Sequence, residues 1–408
     1  MAPVNIADTI PAEPAAIEMT VADRFDDVDA REWDDCISRL SGSLYVTHDW
    51  LRIWWRHYGQ GRRLRIFQFR RAGRLVGLAP MFVETVRIGP VAIRLAKRVG
   101  ADFALTMFAL PLDPRFADLA YARIIATLIE DDGCAAIWFG FAPGDDATAA
   151  ALPHACAMSN VAALLGERAH VPHMRFMLPS AFDAYLAGLD KRQRQTYTRS
   201  RKLLEKDHDV RTVVVRDPVA AADAFARFRA LHDAQWRAEG KLGHFGDWPG
   251  AAAFNADLVD AMARLGRLRI VDLVADGAVI SSQYAFVFDD RCYWRLPARV
   301  IGSEWSRYSL GRLGLIQLIE SVIGEGVTGI EAGMGHYGYK QQLGGEELLC
   351  KSAVVVSTRG GDARRVRLFL RMSDLLHLLY YRIWFLRLAR WWPGRRGPLW
   401  RIWVRARL

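Results

Sequence analysis

A loop rich in hydrogen-bond donors opens a helix in the last third of this 408-residue chain. It reads Glu304-Trp-Ser-Arg307-Tyr308-Ser309-Leu310-Gly311-Arg312, after the strand-like Cys292-Tyr-Trp-Arg-Leu and before an apolar helical run from Leu310 to Gly324. The first turn of a helix carries unpaired backbone N–H groups and the positive end of the helix dipole, which together form a site for a pyrophosphate. Arg307 and Arg312 add charge. Two plainer roles are open: Ser309 as a helix cap and Gly311 as a close-packing residue. The next segment, Ile330-Glu331-Ala-Gly333-Met-Gly335-His336-Tyr337-Gly338-Tyr339-Lys340, holds three glycines within six positions. Glycines let the backbone approach a ligand closely. Around them stand a carboxylate (Glu331), an imidazole (His336), two phenols (Tyr337 and Tyr339) and a cation (Lys340). Glu331 can equally be the ion-pair partner of an arginine.

These residues need a strand–loop–helix–strand frame, and the pattern supplies one. Leu268 to Ala275 and Ala278 to Phe288 read as a hairpin across Asp276-Gly277. Arg291 to Ala298 is a third strand, Leu310 to Gly324 a helix, Gly329 to Ala332 a strand and Lys351 to Thr358 a closing strand. Ahead of them lie a basic helix or helix pair (Ala181 to Lys206), a strand (Val210 to Val215) and two helices (Ala220 to Gly240 and Phe254 to Gly266). The first half has a similar order. Val21 to Gly59 looks helical. Strands Leu64 to Arg70 and Arg74 to Val86 turn at Arg71 to Arg74, and Arg94 to Leu110 is strand and loop. An amphipathic helix follows from Phe116 to Asp131, then a short strand, Ala135 to Phe141. Hairpins, then a helix, then a strand in both halves predict an α+β fold of two tandem lobes and argue against a doubly wound sheet. The expected division is a disordered stretch at 1–20, lobes at 21–175 and 176–360, and a tail at 361–408.

With those residues in view, the stretch from Arg307 to Lys340 resembles the C-terminal GNAT domain of the FemAB-like acyltransferases, in particular the branch found with cellulose and other polysaccharide biosynthesis proteins. That branch carries Tyr-Ser-Pro-Gly before the helix and Asp-Phe-Gly-x-Gly-x-Glu-x-Tyr-Lys after it. Here Tyr308-Ser309-Leu310-Gly311 matches with Leu310 for Pro, and Glu331, Gly333, Gly335, Tyr339 and Lys340 match with Glu for Asp. The basic run Leu189 to Lys202 resembles the helix that opens the family's second lobe. Tyr45-Val-Thr-His48-Asp49-Trp50-Leu51 and Gly77-Leu-Ala-Pro80-Met81 resemble its first-lobe signatures. The resemblance spans roughly 30–358. It implies two tandem GNAT-like lobes, an acyl thioester donor such as acetyl-CoA and a polar acceptor. Donor binding then falls to Arg307, Tyr308, Ser309, Gly311, Arg312 and Gly314. In a GNAT-type reaction Glu331, His336 and Tyr337 are candidate bases, Tyr337 or Tyr339 the candidate acid, and Lys340 a further reaction-centre residue. Two departures stand out: Tyr337 occupies the position of the family's acid between the glycines and Tyr-Lys, and of the acetyl-CoA loop only Gly311 and Gly314 remain.

Charge sorts the partners. The chain carries +10 overall, yet residues 364–408 hold twelve Arg, no Lys and one acid, Asp374, so the tail carries +11 and the remainder −1. A nucleic-acid reading of the whole protein loses its support, with tRNA the exception kept open by the basic helix at Lys191, Arg192, Arg194, Arg199, Arg201 and Lys202. Leu368, Met372, Leu375, Leu379, Ile383 and Leu386 form a helical apolar stripe in the tail, with Trp384, Trp391, Trp392, Trp400 and Trp403 interleaved with Arg. That pattern predicts docking on an anionic membrane or a membrane-bound partner, the plainer alternative being a helix packed on the body. Five cysteines with no C-x-x-C, no basic leader and no run of 18 uncharged apolar residues predict a cytoplasmic protein, peripheral at the inner face of the membrane. His154, Cys156, His170 and His173 lack the tight spacing of a zinc site, so they are read as interlobe loop residues and no metal is expected. Hydrolase, nucleotidase and zincin motifs are missing. Three functions remain: an acyl-CoA acyltransferase acting on an amine or hydroxyl of an envelope or exopolysaccharide precursor, an aminoacyl-tRNA-dependent transferase, or a non-catalytic GNAT-derived subunit of a membrane synthase.

Overall fold

A computed structural model describes residues 17–103, 106–240, 243–246, 250–388 and 397–408. The first lobe runs β1 (Glu18–Ala22), α1 (Ala30–Arg39), α2 (His48–Tyr58), β2 (Arg63–Arg71), β3 (Arg74–Ile88), β4 (Val91–Arg98), α3 (Ala117–Glu130), β5 (Ala136–Trp138), β6 (Ala142–Pro143), α4 (Ala147–Ala150), α5 (Leu152–Ser159) and β7 (Ala162–Met177). The second begins with α6 (Phe182–Gly188), α7 (Lys191–Asp207), β8 (Val210–Val215), α8 (Pro218–Ala238) and α9 (Ala251–Arg264). It continues through β9 (Leu268–Ala275), β10 (Ala278–Phe288), β11 (Arg291–Arg299), α10 (Ser303–Ser306), α11 (Leu310–Ile323), β12 (Gly329–Met334), α12 (Gly338–Gln342) and β13 (Gly345–Ser357). The tail is α13 (Asp362–Leu376), a π-helical continuation (His377–Leu388) and α14 (Gly397–Ala406). The fold is α+β, as expected.

Local chemistry accounts for the hairpins. The β9–β10 turn places Asp276 and Gly277 at φ 49° and 82°, a left-handed pair that Asp and Gly tolerate best. Three expectations need correction. Glu18–Ala22 is not disordered: it is an edge strand that pairs with Ile66–Arg70, and Ile17 joins the core beneath. The rest of the expected disordered stretch, 1–16, lies outside the described residues. Val21 to Gly59 is not one helical run, because the chain breaks between α1 and α2 at Leu40–Thr47. Most consequential, the segment read as interlobe loop contains α5 and the sixteen-residue β7. The lobe boundary at 175 therefore falls inside a strand.

Among the described residues all thirteen strands lie in one sheet, in the order β1-β2-β3-β4-β5-β13-β7-β12-β11-β10-β9-β8, with β6 paired to β13. The centre of that order shows an exchange. β7 ends the first lobe yet lies beside β12 of the second, and β13 ends the second lobe yet lies beside β5 of the first. The two exchanged strands pair with each other from Ala162↔Ser357 to Phe176↔Gly345.

Each lobe also contains one short parallel pair. β4 and β5 pair from Leu95↔Ala136 to Lys97↔Trp138. β11 and β12 pair from Arg291↔Gly329 to Tyr293↔Glu331, and then part. The first opening is closed by Arg98, fully buried, whose guanidinium donates to the carbonyls of Thr106, Phe108 and Phe141 at 2.5, 2.5 and 3.2 Å. The second opening is framed by side chains that alternate between faces, as strand geometry requires. Trp294, Ile330 and Ala332 point to the core under α7 and α11, and Tyr293 points to the core under α2, α8 and α9.

The tail is not free of the body. Val366, Phe369 and Leu370 of α13 are buried with Val86, Leu95 and Val354. α14 is anchored by Arg405, which pairs with buried Glu84 at 2.6 Å, while Lys97 Nζ donates to the Arg405 carbonyl at 2.5 Å. The packed alternative thus holds for one side of the tail, since Leu368, Leu375, Leu379, Ile383 and Leu386 of the expected stripe are exposed. Trp391 and Trp392 fall outside the described residues. No described helix is long and apolar enough to cross a membrane.

Candidate functional site

A cleft of about 650 Å³ lies between the lobes, bordered by Tyr45, Phe108, His173, Arg175, Tyr293 and Glu331. Its polar centre is built from the exchanged strands. Glu331 of β12 stands directly opposite Arg175 of β7, and His173 is two residues earlier on the same face of β7. His173 Nε2 is 2.6 Å from Glu331 Oε2, and Arg175 Nε donates to Glu331 Oε1 at 2.8 Å. Burial pushes the Glu331 carboxyl up, but hydrogen bonds and charge from His173 and Arg175 outweigh it and hold it below its usual range. An ionised carboxylate only accepts hydrogen bonds, so Nε2 carries a proton, and whenever the ring is neutral Nδ1 holds the lone pair. That Nδ1 is buried and has no hydrogen-bond partner. Glu331 is thus ion-paired with Arg175, and its second partner is a histidine whose Nδ1 makes no hydrogen bond.

The other four expected catalytic residues are not in the cleft. His336 is on the surface, its Nδ1 2.5 Å from Glu347 Oε2, and Tyr337 is half exposed. Tyr339 is partly buried, which pushes its phenol up to about 12. Lys340 is buried beside the opening between β11 and β12. Its Nζ donates to the Ala332 carbonyl at 2.7 Å and lies 4.7 Å from the Trp294 ring centre. Burial pulls its ammonium down to about 8. The sheet therefore separates the expected set: Glu331 faces the cleft, and Lys340 lies against Trp294 on the α11 side.

The expected donor loop does open α11, with its cations engaged. Arg307 pairs with Asp207 at 3.2 Å, and the buried Tyr308 hydroxyl donates to the same carboxylate at 2.9 Å. Arg312 donates to Gln193 and Gln342. Ser309 adopts φ 54° and makes no side-chain cap; its carbonyl receives the N–H groups of Arg312 and Leu313. The close-packing glycine is Gly314, where a Cβ would meet Gln283 Nε2 and Ser281 Oγ at 2.4 Å. At Gly311 the nearest atoms, of Arg299, are 3.7 Å away. Between the start of α11 and Gln193, Thr196 and Ser200 of α7 there is about 10 Å³, room for about one water.

The sequence pattern marks His173 only as an interlobe loop residue and gives Arg175 and Tyr293 no role. The signal for the first two was their alternation in His173-Met-Arg175, hidden because Gly166 and Pro172 make β7 a poor strand pattern. Tyr45 stands out in the sequence only as part of a first-lobe signature. Among the described residues no group of three or more His, Cys, Asp or Glu side chains suits a metal ion.

Comparison with known proteins bears on the fold. Residues 191–341 match the acetyltransferase (GNAT) domain family. The crystal structure of FemX matches 79% of this chain and 96% of its own, at 12% identity and a TM-score of 0.56. Weaker likenesses include a tandem GNAT protein from the clavulanic acid biosynthesis pathway (13% identity, 84% of this chain and 98% of that one, TM-score 0.43). Another is L-PGS from Bacillus licheniformis (11%, 83% and 96%, TM-score 0.46). No curated protein sequence matches the chain significantly.

Proposed function

We propose that this chain, whose residues 191–341 match the GNAT domain family and whose fold is similar to that of FemX, transfers an acyl group from acyl-CoA to an amine or hydroxyl acceptor held in the interlobe cleft. The observation that carries this is the opening between β11 and β12, with a helix start and Lys340 on one side and the Glu331–His173 pair on the other. The donor pyrophosphate rests at the start of α11 among Arg307, Ser309 and Arg312, which requires Arg312 to exchange Gln193 for phosphate. The thioester reaches through the opening, its carbonyl polarised by a backbone N–H of β12 beyond Glu331. His173 Nδ1 takes the proton of the acceptor as its nitrogen or oxygen attacks the carbonyl carbon. Glu331 fixes the ring and stabilises the imidazolium, and Arg175 fixes Glu331. The carbon–sulfur bond then breaks, and Lys340 supplies a proton to the departing CoA thiolate. The resemblance of Arg307–Lys340 to the polysaccharide-associated branch supports an acceptor from an envelope or exopolysaccharide precursor.

Two measurements test this. Acetyl-CoA at about a hundredfold its Kd is expected to stabilise the protein by about 2.7 kcal/mol in thermal unfolding. With a panel of amino sugars and amines, release of free CoA thiol is expected to fall about 10²- to 10⁴-fold in His173→Gln. No stabilisation by CoA or any acyl-CoA would sink the reading. One observation favours a second donor. α7 exposes Lys191, Arg192, Arg199 and Lys202 beside the same helix start, a surface suited to the phosphates of an aminoacyl-tRNA. Salt-sensitive tRNA binding without CoA binding would select it, and binding of neither donor would leave the non-catalytic subunit.

A further inference from the structure

Residues 362–388 form a continuous helix, α-helical to Leu376 and π-helical beyond, with two unlike sides. The inner side buries Val366, Phe369, Leu370, Ser373 and Tyr380. The outer side exposes Leu368, Leu375, Leu378, Leu379, Ile383 and Leu386, each between 38% and 59%. Nine of the seventeen exposed large apolar side chains among the described residues lie in the tail, so the patch is a concentration rather than ordinary scatter.

Cations interleave with it. Arg364, Leu368, Arg371 and Leu375 follow one another at four- and three-residue steps, which places them on one face. Arg365, Arg367, Arg382 and Arg387 are exposed too, and among the described residues none of these six arginines pairs with a carboxylate. The helix cannot roll to hide its leucines. Its inner side is core, Ser373 Oγ donates to the Ala406 carbonyl at 2.8 Å, and the Trp403 ring stacks on Tyr381 at 4.8 Å. Arg405 in turn is held by Glu84.

We propose that this outer face docks on the surface of an anionic bilayer, leucines entering the interface and guanidinium groups meeting lipid phosphates. Both halves of the pattern are used there, because arginines snorkel to the headgroups while their neighbours insert. A nucleic acid would satisfy the arginines and leave the leucines wet. A second copy of the face would bury the leucines and bring like charges together. The helix packs on the cleft side of the sheet: Cys350 lines the cleft and belongs to the same core cluster as Val366 and Phe369. A docked molecule therefore turns its cleft side toward the lipid. This inference does not depend on the acyl-transfer reading.

The test is flotation of the full-length protein with vesicles of phosphatidylcholine alone or mixed with phosphatidylglycerol. Binding to the mixed vesicles and loss of it in high salt are expected. Arg364→Gln with Arg371→Gln should weaken it about thirtyfold, the equivalent of about 1 kcal/mol for each Arg near an anionic leaflet. Leu375→Glu with Leu379→Glu should weaken it as well, with an unchanged melting temperature because both side chains are exposed. Failure of the full-length protein to float with the mixed vesicles overturns the proposal. So does equal binding by either double variant, or a salt-sensitive affinity for single-stranded RNA that the leucine variant shares while no vesicle binds.

Discussion

Lys340 is a buried cation whose proton is easily lost, and the consequence is readable in a pH profile. Burial disfavours the charged form, so its pKa falls to about 8. The charged form is the protonated one: Lys340 carries its proton below about pH 8 and is neutral above. Turnover that needs that proton should decline as pH rises through about 8, and Lys340→Met should abolish this alkaline limb while lowering the rate about tenfold to a thousandfold. A profile in which the limb survives the substitution excludes Lys340 as the acid. Glu331→Gln should also slow turnover, because the amide keeps the shape but loses the charge that steadies an imidazolium on His173. Glu331 and Lys340 were visible in the sequence because each stands next to glycines that announce a ligand loop. His173 was not, because its role comes from a cross-strand neighbour 158 residues away, which no local pattern encodes.

The elements divide the same way. α11, β9 to β12 and α3 were legible because each has one strong period and a clear stop. β7 was not, because its residues are chosen by two neighbouring strands and two different faces, and it contains Gly166 and Pro172. The tail's period was legible, and which side faced the body was not. α11 offers a sharp test of its packing. Gly314→Ala puts a Cβ into Gln283 and Ser281, and overpacking of that kind costs about 1–3 kcal/mol. Gly311→Ala meets only the Arg299 stem at 3.7 Å and gains helix propensity of up to about 1 kcal/mol. Thermal unfolding should therefore separate the two in opposite directions. Equal melting temperatures would mean that α11 rests less tightly on β10 than the structure shows.

On the scale of the whole molecule, two lobes that look separable by sequence are joined by the strands they trade. Residues 178–361 alone lack β7, which leaves β12 unpaired at the opening and strips β13 of its longest partner. That fragment is expected to be insoluble or unfolded by circular dichroism, and the full chain to melt in one cooperative transition. Two well-separated transitions would show the lobes to be independent. The exchange also imposes a schedule on the ribosome. Ser357 of β13 is made about 180 residues after Met177 of β7. At the usual pace of synthesis that is roughly 10–40 s. During that interval the nascent first half displays the bare edges of β5 and β7, which are open to any passing strand. Slower translation between α6 and β12, by rare synonymous codons, should thus raise the aggregated fraction of a protein whose amino-acid sequence has not changed.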